Sequence, residues 1–96
     1  MRVEFSPAAA ADLGEIADYI ARDSPSRARS FIDELEAQCV GLGDNPEMGA
    51  ARPELAEGLR SLAYRRYILF YRIQESRVRI ERVLHGMRDI TTLFDA

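Results

Sequence analysis

One histidine and two neighbouring arginines are the side chains in this chain best suited to act on an anionic partner. His85 is the single histidine, and Arg82 and Arg88 lie three residues to either side of it. An imidazole can exchange a proton in general acid–base catalysis, and guanidinium groups can stabilise the charge that develops when RNA is cleaved. The same set can bind an acidic protein surface without chemistry, or His85 can simply end a strand. The residues alone leave these three interpretations open.

No other set of residues has the spacing of a metal, cofactor or nucleophile site. The only cysteine, Cys39, and the only histidine are separated by much of the chain, so they do not form a zinc site. Gly86 is isolated and does not belong to a phosphate-binding loop. We therefore expect no metal and no cofactor. A lone Cys39 excludes an internal disulfide, fits a reducing compartment, and lies in an apolar helical stripe where a small buried side chain is expected.

Charge is divided unevenly along the chain. Residues 59–96 contain eight arginines and four acidic residues, whereas residues 1–58 contain five arginines and twelve acidic residues. A basic half indicates an anionic partner, although polar strand positions facing water would also account for it. The chain has no lysine. Unlike lysine, arginine can bind a carboxylate or a phosphate through two parallel hydrogen bonds.

Two amphipathic helices follow a short β-type run at Arg2–Phe5. Ser6-Pro7 and Ser24-Pro25 each read as an N-cap followed by proline at the first helical position. The first helix has one apolar stripe, with its acids on other faces; the stripe is Ala9, Leu13, Ile16, Ala17 and Ile20, and the acids are Asp12, Glu15 and Asp18. The second helix ends at Gly41 or Gly43. The pair predicts a helical hairpin that covers an apolar surface.

Three β-type runs follow a polar connection over 44–58. They are Leu59–Tyr64, Arg66–Ile73 and Arg77–Leu84, and the turns between them are short enough to require antiparallel neighbours. Both faces of the middle run are apolar, with Ile68 and Phe70 on one side. We expect the helical hairpin on one face and room for a partner on the other.

These elements predict one α+β domain over residues 1–96, an antiparallel sheet with a helical hairpin on one face, in the order β-α-α-β-β-β. No run of 18 apolar residues suggests a membrane span, and the N-terminus lacks the apolar stretch of a signal peptide. We therefore expect a cytoplasmic protein.

Several stretches of the chain resemble the RelE/ParE toxin superfamily. They are S-P-A-A-A-A-D-L-G-E-I-A-D-Y-I from Ser6, the N-P-E-M-G and R-P-E-L-A-E-G-L-R parts of the connection, R-Y-I-L-F-Y-R-I, and V-L-H-G-M-R-D. The last two are more similar to the ParE branch than to RelE. The resemblance implies a toxin of a type II toxin–antitoxin, plasmid-stabilising module, which inhibits DNA gyrase and is neutralised by a ParD-like antitoxin. It implies no sequence-specific nucleic-acid binding by the toxin alone.

The resemblance also gives the candidate residues their expected roles. Together with the charge division, it points to gyrase binding by Arg60, Arg82, His85 and Arg88 and the C-terminal tail, without catalysis. For the antitoxin we expect contacts at Tyr19, beside the first apolar stripe, and at Met48 in the connection. The alternative is a RelE-like, ribosome-dependent endoribonuclease using His85, Arg82 and Arg88. Against it, the chain lacks lysine and has no tyrosine after Tyr71.

Overall fold

A computed structural model describes residues 1–88 and 94. This part of the chain forms two helices and five strands. They are β1 (Arg2–Phe5), α1 (Pro7–Ala21), α2 (Pro25–Gly41), β2 (Ala50–Ala51), β3 (Arg60–Tyr64), β4 (Tyr67–Gln74) and β5 (Arg77–His85). The expected α+β order is confirmed, with the two-residue strand β2 added inside the connection. Most of the C-terminal tail, including Asp89 of the V-L-H-G-M-R-D stretch, lies outside the described residues.

Both helices begin where serine and proline predict. The Ser6 hydroxyl accepts a hydrogen bond from the Ala9 N–H at 2.9 Å, and the Ser24 hydroxyl accepts one from the Arg27 N–H at 3.2 Å. Each bond satisfies one of the N–H groups that a helix start leaves without an internal partner. Among the described residues, neither helix is long and apolar enough to cross a bilayer.

The strands form one sheet in the order β1-β5-β4-β3-β2. Strands β2 to β5 are antiparallel neighbours, as their short connections require, whereas β1 pairs with β5 in parallel. A parallel neighbour is possible because a long stretch of chain, including both helices, separates the two strands. The sheet is therefore mixed, with β5 and β4 at its centre.

The helical hairpin covers one face of the sheet. Helix residues such as Phe31 and Leu35 pack there against Leu69 and Tyr71 of β4. Cys39 is fully buried in this core, as its place in the stripe suggests. On the opposite face a smaller cluster is formed; its buried members are Leu59, Phe70 and Leu84, and Leu55, Ala56, Ile68 and Phe94 pack against it. Part of the face expected to be open to a partner is thus covered by the chain itself.

Helix α1 replaces β1 along the second half of strand β5. Strand β1 pairs only as far as Ile80, and Glu81 then forms a bulge without a partner on β4. Beyond that point Ser6 bonds to the carbonyl groups of Ile80 and Glu81, at 2.9 and 2.7 Å, and the Asp12 carboxylate accepts from the Val83 N–H at 3.0 Å. Asp12, which was expected on a face other than the apolar stripe, is only 5% exposed because it satisfies this strand edge.

Candidate functional site

His85 is the last residue of β5 and packs against an aromatic ring. Its neighbour on β4 is Tyr67, with ring centroids 5.4 Å apart and the rings nearly perpendicular. Its Nδ1 accepts a hydrogen bond from the Met87 N–H at 3.1 Å, and its carbonyl accepts one from the Arg88 N–H at 3.0 Å. In the neutral ring the proton is therefore on Nε2, and only that nitrogen is left for a ligand.

Arg82 is bound internally. Its Nε and Nη2 donate to the two carboxylate oxygens of Asp12 at 2.8 and 2.9 Å, a bidentate pair. The Asp12 side chain is 6% exposed and that of Arg82 is 24% exposed. Hydrogen bonding to Asp12 raises the pKa of Arg82. The guanidinium group thus neutralises a buried charge between α1 and β5, and its role here is to join these two elements.

Arg60 also bonds to the chain itself. Its Nη2 donates to the carbonyl groups of Gly49 and Glu47 at 2.7 and 3.1 Å. The fully buried Tyr71 holds the same segment, because its hydroxyl accepts from the Gly49 N–H at 2.9 Å and donates to the Pro46 carbonyl at 2.6 Å. Gly49 is required there, since an added Cβ would lie 2.7 Å from the Tyr71 hydroxyl. Arg60 and Tyr71 therefore order the N-P-E-M-G part of the connection.

Arg88 lies beside His85 on the rim of a groove between α1 and the end of β5. This α1/β5 groove has a volume of about 250 Å³; its lining includes Asp12, Ile16, Tyr19, Tyr67, His85 and Arg88. Arg88 is exposed, and among the described residues its side chain has no ion pair. Of the four residues expected to bind the target, the structure thus brings together His85 and Arg88 as available groups.

The two residues expected to contact an antitoxin lie on different surfaces. Tyr19 is 66% exposed and lines the α1/β5 groove. Met48 is 56% exposed and lines a second hollow of about 530 Å³, together with Met1, Pro46 and Ile73. Tyr67 and Ile73 are six residues apart on β4, so the two surfaces are separated by about 20 Å along the sheet.

Other groups that hold or surround the site were not among the candidates. Asp12 could have been suspected, because it lies three residues after Ala9 and four before Ile16, at the edge of the apolar stripe. Nothing in the spacing showed that Tyr71 would bury a hydroxyl under the connection. Among residues 1–88 and 94, no three histidine, cysteine or acidic side chains are placed to hold a metal ion.

A family model described as the ParE toxin of type II toxin–antitoxin system, parDE, matches residues 3–90. The chain belongs to the ParE toxin family. Toxin ParE1 of Mycobacterium tuberculosis, in strains CDC 1551 / Oshkosh and H37Rv, is 35% identical over 91 residues, which cover 93% of each chain. A solved chromosomal ParDE TA system from P. aeruginosa is 26% identical with a TM-score of 0.75, covering 88% of this chain and 95% of the other. The TM-score shows that the two chains share their overall fold.

Proposed function

We propose that this ParE-type toxin acts in the cytoplasm by inhibiting DNA gyrase, as a binding protein without catalytic activity. The observation that carries the proposal is the bidentate Asp12–Arg82 pair, taken together with family membership. The endoribonuclease alternative, which uses His85 with Arg82 and Arg88, would need the Arg82 guanidinium group free to stabilise the charge on a phosphate. Arg82 cannot leave Asp12 without leaving a buried carboxylate unpaired.

The surroundings of His85 also favour binding over acid–base catalysis. Cleavage by general acid–base chemistry needs one group to accept a proton and another to donate one. Nε2 of His85 supplies one such group. In the neutral ring this nitrogen carries the proton, and burial raises the pKa of Tyr67, which packs against His85, so near neutral pH both groups can donate a proton and neither of the two can accept one. In the described residues the groove offers an arginine, an imidazole, the exposed carboxylate of Glu15 and aromatic surface to a protein partner.

Neutralisation would come from a ParD-like antitoxin that covers the α1/β5 groove. The groove presents exposed Tyr19 beside Ile16 and Tyr67, which suits the apolar face of an amphipathic helix. An extended segment continuing from that helix could then reach the hollow at Met48, at the other end of the sheet. The two candidate contacts would be made by different parts of one antitoxin chain.

Controlled expression in bacterial cells tests the proposed target. Gyrase inhibition predicts filamentation and a DNA-damage response while incorporation of labelled amino acids continues. Co-expression of the protein from the neighbouring reading frame should restore growth. Immediate loss of amino-acid incorporation, with mRNAs cut in the ribosomal A site, would instead establish the endoribonuclease alternative. His85→Ala should then abolish cleavage, whereas under the proposal it only weakens target binding.

The antitoxin contacts are tested by separate substitutions. Tyr19→Ala and Met48→Ala remove exposed side chains, so folding should be unaffected. Each should weaken binding of the purified antitoxin by about tenfold, a typical cost for an apolar anchor. Val40→Ala is the matched control, because Val40 is 61% exposed and lines neither surface. Equal antitoxin affinity in all three variants would reject the proposed contacts.

A further inference from the structure

Two arginines form the turn between β3 and β4, where fold stability alone would favour other residues. Tyr64 and Tyr67 are the last paired residues, so Arg65 and Arg66 are the two residues of the turn. Arg65 has φ 54°, in the left-handed region. Glycine or asparagine adopts this conformation at the lowest cost, and two-residue hairpin turns favour them. Backbone conformation therefore does not account for an arginine at position 65.

The contacts that Arg65 makes within the chain contribute little to the stability of the fold. Its Nε lies 3.4 Å from a carboxylate oxygen of Glu34, and its side chain is 59% exposed. Its guanidinium carbon lies 5.6 Å from the centre of the Tyr64 ring. Glu34 already accepts shorter hydrogen bonds, from Arg27 at 2.8 Å and from Tyr64 at 2.7 Å. Exposed ion pairs of this kind contribute little to stability.

Two hollows with apolar walls meet at this turn. Both are lined by Arg65, Arg66 and Tyr67. The first, of about 490 Å³, is completed by Ala63, Ile68, His85, Gly86 and Met87, and the second, of about 310 Å³, by Ile20, Arg27 and Phe31. Among the described residues, neither hollow has a carboxylate in its lining. We call this surface the arginine tip.

A backbone hydrogen bond holds the arginine tip against the end of β5, and a large apolar side chain is exposed beside it. The Gly86 N–H donates to the Arg66 carbonyl at 2.8 Å, which fixes the turn against the end of β5. Met87, next in the chain, is 88% exposed. A surface with an exposed methionine and clustered arginines has the composition of a binding site for an acidic segment with apolar side chains.

We propose that the arginine tip binds an acidic, apolar-anchored polypeptide segment of the toxin's target. The proposal rests on the proposed function, and it moves the main target contacts from Arg60 and Arg82, which are bound internally, to Arg65 and Arg66. Carboxylates of the target would pair with these arginines, and an apolar side chain would enter the hollow beside Met87. The surface adjoins His85, which lines the same hollow, and Arg88 follows one residue after Met87.

A polypeptide fits this surface better than a nucleic acid does. Binding of single strands depends on open aromatic faces on which bases stack. The Tyr67 ring is instead packed between His85 and Phe31, with centroid distances of 5.4 and 5.6 Å. Aliphatic side chains make up much of the remaining lining.

The test replaces the tip and compares it with the other hairpin turn. Arg65→Gly combined with Arg66→Ser removes both charges. Glu75→Gly is the matched control, because Glu75 has φ 53° in the β4–β5 turn and lies in neither hollow. Both variants should have a Tm no lower than that of the unchanged protein, since glycine relieves the same backbone strain. The dose needed for growth arrest, and for inhibition of purified gyrase, should rise tenfold or more only in the tip variant, as expected for two lost charge-assisted pairs.

Met87→Ser provides a second variant that cannot act through folding, because the side chain is almost fully exposed; it should raise the same doses severalfold. Unchanged growth arrest by the tip variant would overturn the proposal. A tenfold loss of the tip variant's affinity for the purified antitoxin would also overturn it, because the tip would then belong to that partner. Loss of the tip variant's binding to a DNA duplex, with gyrase binding intact, would overturn it as well. If the unchanged toxin arrests growth but leaves purified gyrase active, the proposed function fails, and the growth comparison still decides the role of the tip.

Discussion

Replacing Asp12 by alanine should destabilise the toxin severely, although the residue belongs to no catalytic set. Its carboxylate accepts three hydrogen bonds, two from the Arg82 guanidinium and one from the Val83 N–H. Asp12→Ala would leave these donors without a partner at a nearly closed site. Breaking a buried pair costs about 3–5 kcal/mol, and the partial exposure of Arg82 places the expected loss near 3 kcal/mol. For a chain of this length that corresponds to a Tm decrease of about 15 °C.

A double-mutant cycle with Arg82→Ala isolates the pair. Each single variant should lose about 3 kcal/mol of unfolding free energy. The double variant should lose about 2 kcal/mol less than the sum of the two, because it leaves neither an unpaired carboxylate nor an unpaired guanidinium group between α1 and β5. Urea unfolding followed by circular dichroism measures these differences, with an unchanged m-value as a check on two-state behaviour. Asp18→Ala, on an exposed position of the same helix, is the control and should change stability by less than about 0.5 kcal/mol.

The cycle also decides how Arg82 affects toxicity. If the pair is structural, Arg82→Ala lowers toxicity only in proportion to the folded fraction, and a lower growth temperature restores it. A coupling energy below about 0.5 kcal/mol, with full stability and lost toxicity in Arg82→Ala, would refute this reasoning. Arg82 would then be free to contact the target after all.

Three further predictions concern the core, the connection and the acid response. Tyr71→Phe should lower the free energy of unfolding by about 2 kcal/mol and speed proteolytic cleavage near Gly49, because the Gly49 N–H and the Pro46 carbonyl lose their partner. Unchanged proteolysis would show that the Tyr71 hydroxyl does not hold this segment. Burial raises the pKa of Cys39 to about 12, so the thiol should resist Ellman's reagent at pH 8 until urea unfolds the protein. The Tyr64 hydrogen bond, followed by that from Arg27, lowers the pKa of Glu34 below 4.5. The Glu34 contribution is therefore present above pH 4.5 and lost as pH falls through the lowered value, so the Tm of Glu34→Gln should decline less on acidification.

Local signals in the sequence were sufficient to predict the helices and strands and which face of each is buried. Ser6-Pro7 placed the start of α1 because a hydroxyl cap and a proline without an N–H satisfy the same helix end. Alternation along β4 separated Phe70 from Leu69 correctly, since successive side chains in a strand point to opposite faces. No end of the four expected strands differs from the observed one by more than one residue.

Contacts between residues far apart in the chain could not be predicted from such local signals. The parallel pairing of β1 with β5, the bulge at Glu81 and the burial of Asp12 all depend on how α1 meets a strand some 70 residues later in the chain. The charge of Arg60 and Arg82 was read as available to a partner because a count of charges does not show which are paired internally. Arg66 was assigned to the middle strand, and the left-handed conformation of Arg65 in the turn cannot be recognised from the residue type alone.

Direct assay of purified gyrase tests the central claim most sharply. The toxin, purified with its antitoxin and then separated from it, is added to gyrase with a relaxed plasmid, and supercoiling and cleaved DNA are followed on a gel. We predict dose-dependent loss of supercoiling with accumulation of cleaved plasmid, both reversed by stoichiometric antitoxin. Full supercoiling in the presence of folded, growth-arresting toxin would contradict it.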